Sequence, residues 1–149
     1  MDWMDKALEL ARVAERQGDV PVGAVIILDD RGVGTGFNRR EKRQDAVSHA
    51  EIEAIREACQ NLGTWRLERC QLFVTLEPCL MCMGALQQSR IASVTYGAVD
   101  AKGGALSLGY FIHEDGKTNH RFSVQLQESP ECEKILKEFF RNLRAQKRK

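Results

Sequence analysis

Leu72-Phe73-Val74-Thr75-Leu76-Glu77-Pro78-Cys79-Leu80-Met81-Cys82 changes character twice within a short span. Leu72 to Leu76 is apolar and β-prone, which predicts a strand. Pro78 suits the first position of a helix, or the place just before it, where its missing N–H costs nothing. That helix is expected from about Cys79 to Ser89. Cys79 and Cys82 are three apart and fall on one face of its first turn.

The same alternation runs through the rest of the chain. Asp2 can cap a first helix to about Gln17, with Met4, Ala7, Leu8, Ala11 and Ala14 at helical spacing and Gly18 as its stop. Val22 to Leu28 is a continuous β-branched run, the pattern of a strand covered on both faces. Asp29 to Gly32 reads as a turn and Val33 to Phe37 as the hairpin partner. Gly34 and Gly36 weaken that partner; they serve either a turn or bulge, or the close approach of a ligand. A charged loop, Arg39 to Asp45, precedes a second helix from about Ser48 to Asn61, with Ile52, Ile55, Ala58 and Leu62 as its buried stripe. A loop around Trp65 leads into the strand already described. Ile91 to Tyr96 and Phe122 to Leu126 read as further strands, with an irregular glycine-rich stretch from Gly97 to Tyr110. Ser129 and Pro130 start a last helix whose apolar face is Ile135, Leu136, Phe139, Phe140 and Leu143. Strands alternating with helices predict an α/β domain, a central mixed sheet with helices on both faces, over residues 1–149 as one unit.

Composition excludes several classes. Of the 149 residues, 43% are hydrophobic and 29% charged, ordinary for a globular protein. No run approaches the roughly 18 apolar residues of a membrane span. Met1-Asp2-Trp3-Met4-Asp5 lacks the basic and apolar regions of a signal peptide, so the expected address is cytoplasmic. Five cysteines are an odd count, which argues against a disulfide framework. Cys59, Cys70 and Cys132 stand alone and read as small buried hydrophobes. The net charge of +1 hides two basic clusters: Arg39, Arg40, Lys42 and Arg43, then Arg141, Arg144, Lys147, Arg148 and Lys149. Each reads as a solvated face or as a nucleic-acid contact.

The chemistry turns on His49-Ala50-Glu51 together with the cysteine pair. Alone, the pair fits a redox motif, a structural zinc site or a catalytic one. A structural site closes all four positions, whereas His49, Cys79 and Cys82 supply three protein ligands and leave one open. A redox site does not explain a histidine and a glutamate opening another helix. Zinc lowers the pKa of a bound water toward about 7. Two thiolates temper that effect, and two helix N-termini restore it by favouring negative charge. Glu51, two residues beyond the histidine, suits a proton shuttle from water to a ring nitrogen and then to a leaving amine. Glu77 reads as a cap for the third helix or as support for the metal shell.

The H-x-E…P-C-x-x-C combination marks the zinc deaminases, and the flanking segments narrow the resemblance. Pro21 to Val25, Gly36-Phe37-Asn38, Val74 to Cys79, Ser89-Arg90-Ile91, Asp100 to Gly104, Asn119-His120-Arg121 and Phe139 to Arg144 resemble the bacterial tRNA-specific adenosine deaminase family, of the cytidine-deaminase-like superfamily. The resemblance implies a three-layer sandwich with a mixed five-stranded sheet. It implies a zinc-dependent homodimer, one Zn2+ per subunit, converting adenosine to inosine at the wobble position of a tRNA anticodon stem-loop. It implies that Asn38 hydrogen-bonds the target base, that Asp100 and Lys102 border the RNA, and that Phe140 and Arg144 meet flanking nucleotides. A strand-end role for Asn38, a core role for Phe140 and a structural role for His120 stand beside those. Val99 and the stretch Ala105 to Tyr110 depart from the family pattern next to the RNA site. The rival readings are a deaminase of free guanine or cytosine, and a zinc-stabilised RNA-binding protein without catalysis.

Overall fold

A computed structural model describes residues 2–147; Met1, and Arg148 and Lys149 of the basic tail, lie outside the described residues. Its elements in chain order are α1 (Trp3–Arg16), β1 (Gly23–Leu28), β2 (Arg31–Phe37), α2 (Arg40–Arg43), α3 (Ala50–Leu62), β3 (Gln71–Val74), α4 (Leu80–Gln88), β4 (Ser93–Tyr96), β5 (Ser123–Leu126) and α5 (Pro130–Lys147). The sheet order is β2-β1-β3-β4-β5. β1 pairs antiparallel with β2 and β3, while β3-β4 and β4-β5 are parallel. Side chains alternate across the pleat. Ala24, Ile26, Leu72, Val74, Val94 and Tyr96 face α3 and α4 in one core. A second core on the other side holds Met4, Ala7, Leu8 and Ala11 of α1 against Cys132, Ile135 and Leu136 of α5. This is the expected three-layer α/β sandwich with a mixed five-stranded sheet.

The hairpin turn is tighter than expected. Asp29 and Asp30 both have positive φ, 50° and 60°, the left-handed backbone of a two-residue primed turn. Arg31 and Gly32 therefore already belong to β2. The register shifts between Ile26 and Ile27, so a bulge borders Gly34 as one reading expected, but both glycines also serve the packing of a helix. A Cβ on Gly34 would collide with Ala54 O, and one on Gly36 with Ala50 O. Both let α3 lie directly on the strand.

That seam also corrects the stripe of α3. Ala50, Glu51, Ala54 and Ala58 are its buried residues, because only small side chains fit against Gly34 and Gly36. Ile52, Ile55 and Leu62 are half-buried at the margin. Gly63 closes the helix at φ 69°, in the left-handed cap position that favours glycine. The Arg39–Asp45 loop contains the short helix α2 instead of being irregular throughout. Asp19, 1% exposed, accepts from Glu41 N at 2.7 Å and Lys42 N at 3.0 Å and so caps it.

Ser129 Oγ accepts from Cys132 N at 3.4 Å at the start of α5, as expected. The apolar face of that helix is narrower than its sequence suggests. Ile135 and Leu136 are buried, Phe139 and Leu143 half-buried, and Phe140 is 40% exposed. Phe140 is not core. Of the lone cysteines, Cys70 and Cys132 are buried and Cys59 is partly so. Among the described residues no helix is long and apolar enough to cross a membrane.

Candidate active site

Two helices begin at one point. His49 is the N-cap of α3 and Cys79 the N-cap of α4, both with extended backbone and neither making a side-chain cap hydrogen bond. Ser, Thr, Asp or Asn would normally occupy such positions to satisfy the first backbone N–H groups. Here the imidazole and the thiol turn away from the cap and toward each other. Pro78 precedes the cap residue, one place outside the helix. The expected first-turn placement of His49 thus shifts to the cap itself, with Glu51 second in the helix.

His49 Nδ1 lies 3.6 Å from Cys79 Sγ and 3.6 Å from Cys82 Sγ. All three ligand atoms fall within 4.8 Å of one another. Nitrogen and sulfur held tetrahedrally by one zinc ion, at about 2.0 and 2.3 Å, sit about 3.5 Å apart. The three side chains therefore fit a zinc ion without rearrangement. The electrostatics agree. Cys79 is pushed down to about 4, first by the hydrogen bond from Cys82 and then by that from His49. Cys82 is pushed up by sharing that bond and by burial. His49 is raised, chiefly by its bond with Cys79. One sulfur is thus already held as a thiolate beside the imidazole.

Glu51 stands next to this group and is 4% exposed. Burial pushes its carboxyl up to about 7, against the pull of its own backbone N–H. A carboxyl near neutrality both accepts and returns a proton at physiological pH. Glu51, His49 and Cys79 line a cavity of about 170 Å3 with Asn38, Arg40 and Asp100. An adjoining groove of about 870 Å3 shares Val20, Leu76 and Asp100 with it. Asp100, Lys102, Phe140 and Arg144 all line that groove, so four residues singled out by resemblance meet on one surface. Lys137 and Arg141 add to its basic wall.

Asn38 lies at the cavity with its side chain already engaged. Its Nδ2 donates to Val20 O at 3.2 Å and its Oδ1 accepts from Arg40 N at 3.0 Å. It ties the end of β2 to the start of α2, the strand-end role, and keeps one amide hydrogen and one lone pair to spare. The first basic cluster is likewise partly committed. Arg39 stacks on Phe37 at 4.2 Å, and Arg43 pairs with Glu53 at 3.0 Å. His120 Nε2 bonds Ile91 O at 2.7 Å, which makes it structural.

Glu77 corrects the sequence reading most. It makes no cap hydrogen bond to α4, and it lines the small cavity together with His49 and Cys79. Its carboxylate accepts from Asp100 N, Ser107 N and Ser107 Oγ at 3.2, 2.9 and 2.7 Å. Asp19 and Ser107 also escaped sequence reading, because their partners are distant in the chain. A glutamate beside Pro78 carries no mark of a bond thirty residues away.

The MafB19-like deaminase family model matches residues 1–144. The tRNA-specific adenosine deaminase of Bacillus subtilis (strain 168) is 42% identical over 149 residues, covering 98% of this chain and 91% of that protein. That of Aquifex aeolicus (strain VF5) is 41% identical over 142 residues, covering 95% and 94%. A solved structure from a study of A-to-I editing by tRNA:A34 deaminases at the wobble position of transfer RNA matches at TM-score 0.84 and 41% identity, over 89% of this chain and 97% of that one. Guanine deaminase from Bacillus subtilis matches at TM-score 0.63 and 30% identity, over 93% and 91%. With a family model spanning the described fold and relatives above 40% identity along nearly its whole length, the chain belongs to the MafB19-like deaminases and to the tRNA-specific adenosine deaminase family.

Proposed function

We propose that this protein deaminates adenosine to inosine at the wobble position of a tRNA anticodon. The observation that carries the reading is the join between the two cavities. A small pocket holding Glu51 beside His49 and Cys79 opens, at Asp100, onto a groove walled by the basic last helix. A single base fits the first space, and the strand on either side of it needs the second. An anticodon loop base is already unpaired, so splaying it into a pocket costs little.

His49, Cys79 and Cys82 would hold one Zn2+ per subunit, and the ion would supply a water activated at neutral pH. Glu51 is placed to take up one proton at its carboxylate and pass it to a ring nitrogen, then to take the proton of the newly added hydroxyl and pass it to the departing amine. One water enters and one ammonia leaves for each adenosine. Burial of Glu51 keeps bulk water from competing for those protons. Asn38 offers its remaining amide hydrogen and lone pair to the base. Asp100 and Lys102 border the RNA. Phe140, exposed at the groove, stacks on a flanking base, and Arg144 meets a phosphate. The chain works as one deaminase domain over residues 1–149, in a homodimer, in the cytoplasm.

Incubation with an adenosine-34 anticodon stem-loop, and separately with free bases, tests this by mass detection of inosine. Inosine in the stem-loop is the expected result, and turnover of free bases alone overturns it. The match to guanine deaminase keeps the free-base reading as the second one. It leaves the large basic groove without a task.

A further inference from the structure

Glu77 is a buried carboxylate, 3% exposed, with no part in the proton path. It sits two residues before the ligand Cys79, and its three hydrogen bonds all reach the segment Asp100–Ser107. Two backbone bonds run alongside, Glu77 N to Ala98 O at 2.8 Å and Ala105 N to Pro78 O at 2.9 Å. The same segment lines the groove from Asp100 to Gly103, and Asp100 also reaches the small pocket. Gly104 shows how closely the carboxylate is gripped, since a Cβ there would overlap Glu77 Oε2. Asp100 turns its own carboxylate back on Lys102 N and Gly103 N, at 3.2 and 3.0 Å, so the loop is set from within and anchored outside by the Glu77 carboxylate and the Pro78 carbonyl.

We propose that Glu77 is a positioning residue: its carboxylate sets the distance between the groove wall Asp100–Ser107 and α4, which presents Cys79 and Cys82, two of the three candidate metal ligands. The strand bound in the groove and the base at the metal are thereby held in one register. The inference rests on the reading of the groove as the RNA site. Charge-assisted bonds of this kind are among the stronger ones. Glu77→Gln keeps the shape but turns an NH2 toward a backbone or hydroxyl donor of the loop.

The test compares Glu77→Gln and Ser107→Ala with the unaltered zinc-loaded protein. Ser107 is exposed, so its substitution leaves the fold intact even if Glu77→Gln does not. Amide hydrogen exchange at Asp100 and Ser107 is expected to speed up about tenfold in Glu77→Gln and less in Ser107→Ala. KM for the stem-loop is expected to rise about tenfold, with kcat changed less than about threefold and zinc retained at one per chain. Unchanged exchange in both variants overturns the proposal. So does loss of zinc from Glu77→Gln, or a fall in kcat with KM unmoved. Faster exchange in a protein whose unaltered form edits no RNA would leave the anchor standing and remove the RNA reading alone.

Discussion

His49 Nδ1 and Cys79 Sγ stand 3.6 Å apart, thirty residues apart in sequence, each at the N-cap of its own helix. Neither helix gains a side-chain cap from its first residue. A zinc ion held by the two side chains and Cys82 would connect α3 to α4.

Chelation should therefore lower thermal stability as well as abolish activity. A ligand at about 1,000 times its Kd adds about 4 kcal/mol. At about 2–4 °C per kcal/mol, removal should lower Tm by about 8–16 °C. Calorimetry with and without chelator checks this, together with metal analysis. His49→Ala should melt at one temperature in both conditions.

Glu51→Ala should separate binding from chemistry. The carboxyl takes no part in holding the metal, so zinc content and stem-loop affinity should match the unaltered protein. Turnover should fall by about 10²–10⁴. Single-turnover assays at saturating enzyme give the rate. A variant that retained full turnover would take Glu51 off the proton path.

Arg144→Ala should weaken RNA binding and flatten its salt dependence. One lost phosphate contact lowers the slope of log K against log salt by about 0.7–0.9. Filter binding at several salt concentrations measures it. An unchanged slope would take Arg144 off the phosphate path.

Gly36→Ala should cost stability and activity together. The added methyl meets Ala50 O and Ala54 N, backbone atoms that cannot rotate away. Overpacking of this kind costs about 1–3 kcal/mol. It also lifts the end of α3 that carries His49 and Glu51. Urea denaturation and kcat should change in parallel, with no change in the KM for RNA.

Much of this fold was legible because its local signals agree. The α1 stripe of Met4, Ala7, Leu8, Ala11 and Ala14 is buried as its spacing predicts. His49, Glu51, Cys79 and Cys82 carry a ligand pattern whose chemistry constrains it. Where reading failed, the deciding partner lay far along the chain. The isoleucines of α3 look like its core face until Gly34 and Gly36 are set against its alanines. Phe140 fits an apolar stripe by period, and only the packing of α1 against α5 shows that the stripe ends before it. Glu77 looked like a cap because its true partners, Asp100 and Ser107, come from a stretch that sequence reads as irregular.

The seam between β2 and α3 has a consequence for how such a protein diversifies. Glycine faces alanine there, and neither side can shrink usefully or grow without collision. Compensating pairs of substitutions, the common route by which cores drift, are closed along this line. The helix that delivers His49 and Glu51 is thereby fixed in place over evolutionary time. New substrates must then be accommodated by the exposed face of α5, which can change without moving the chemistry.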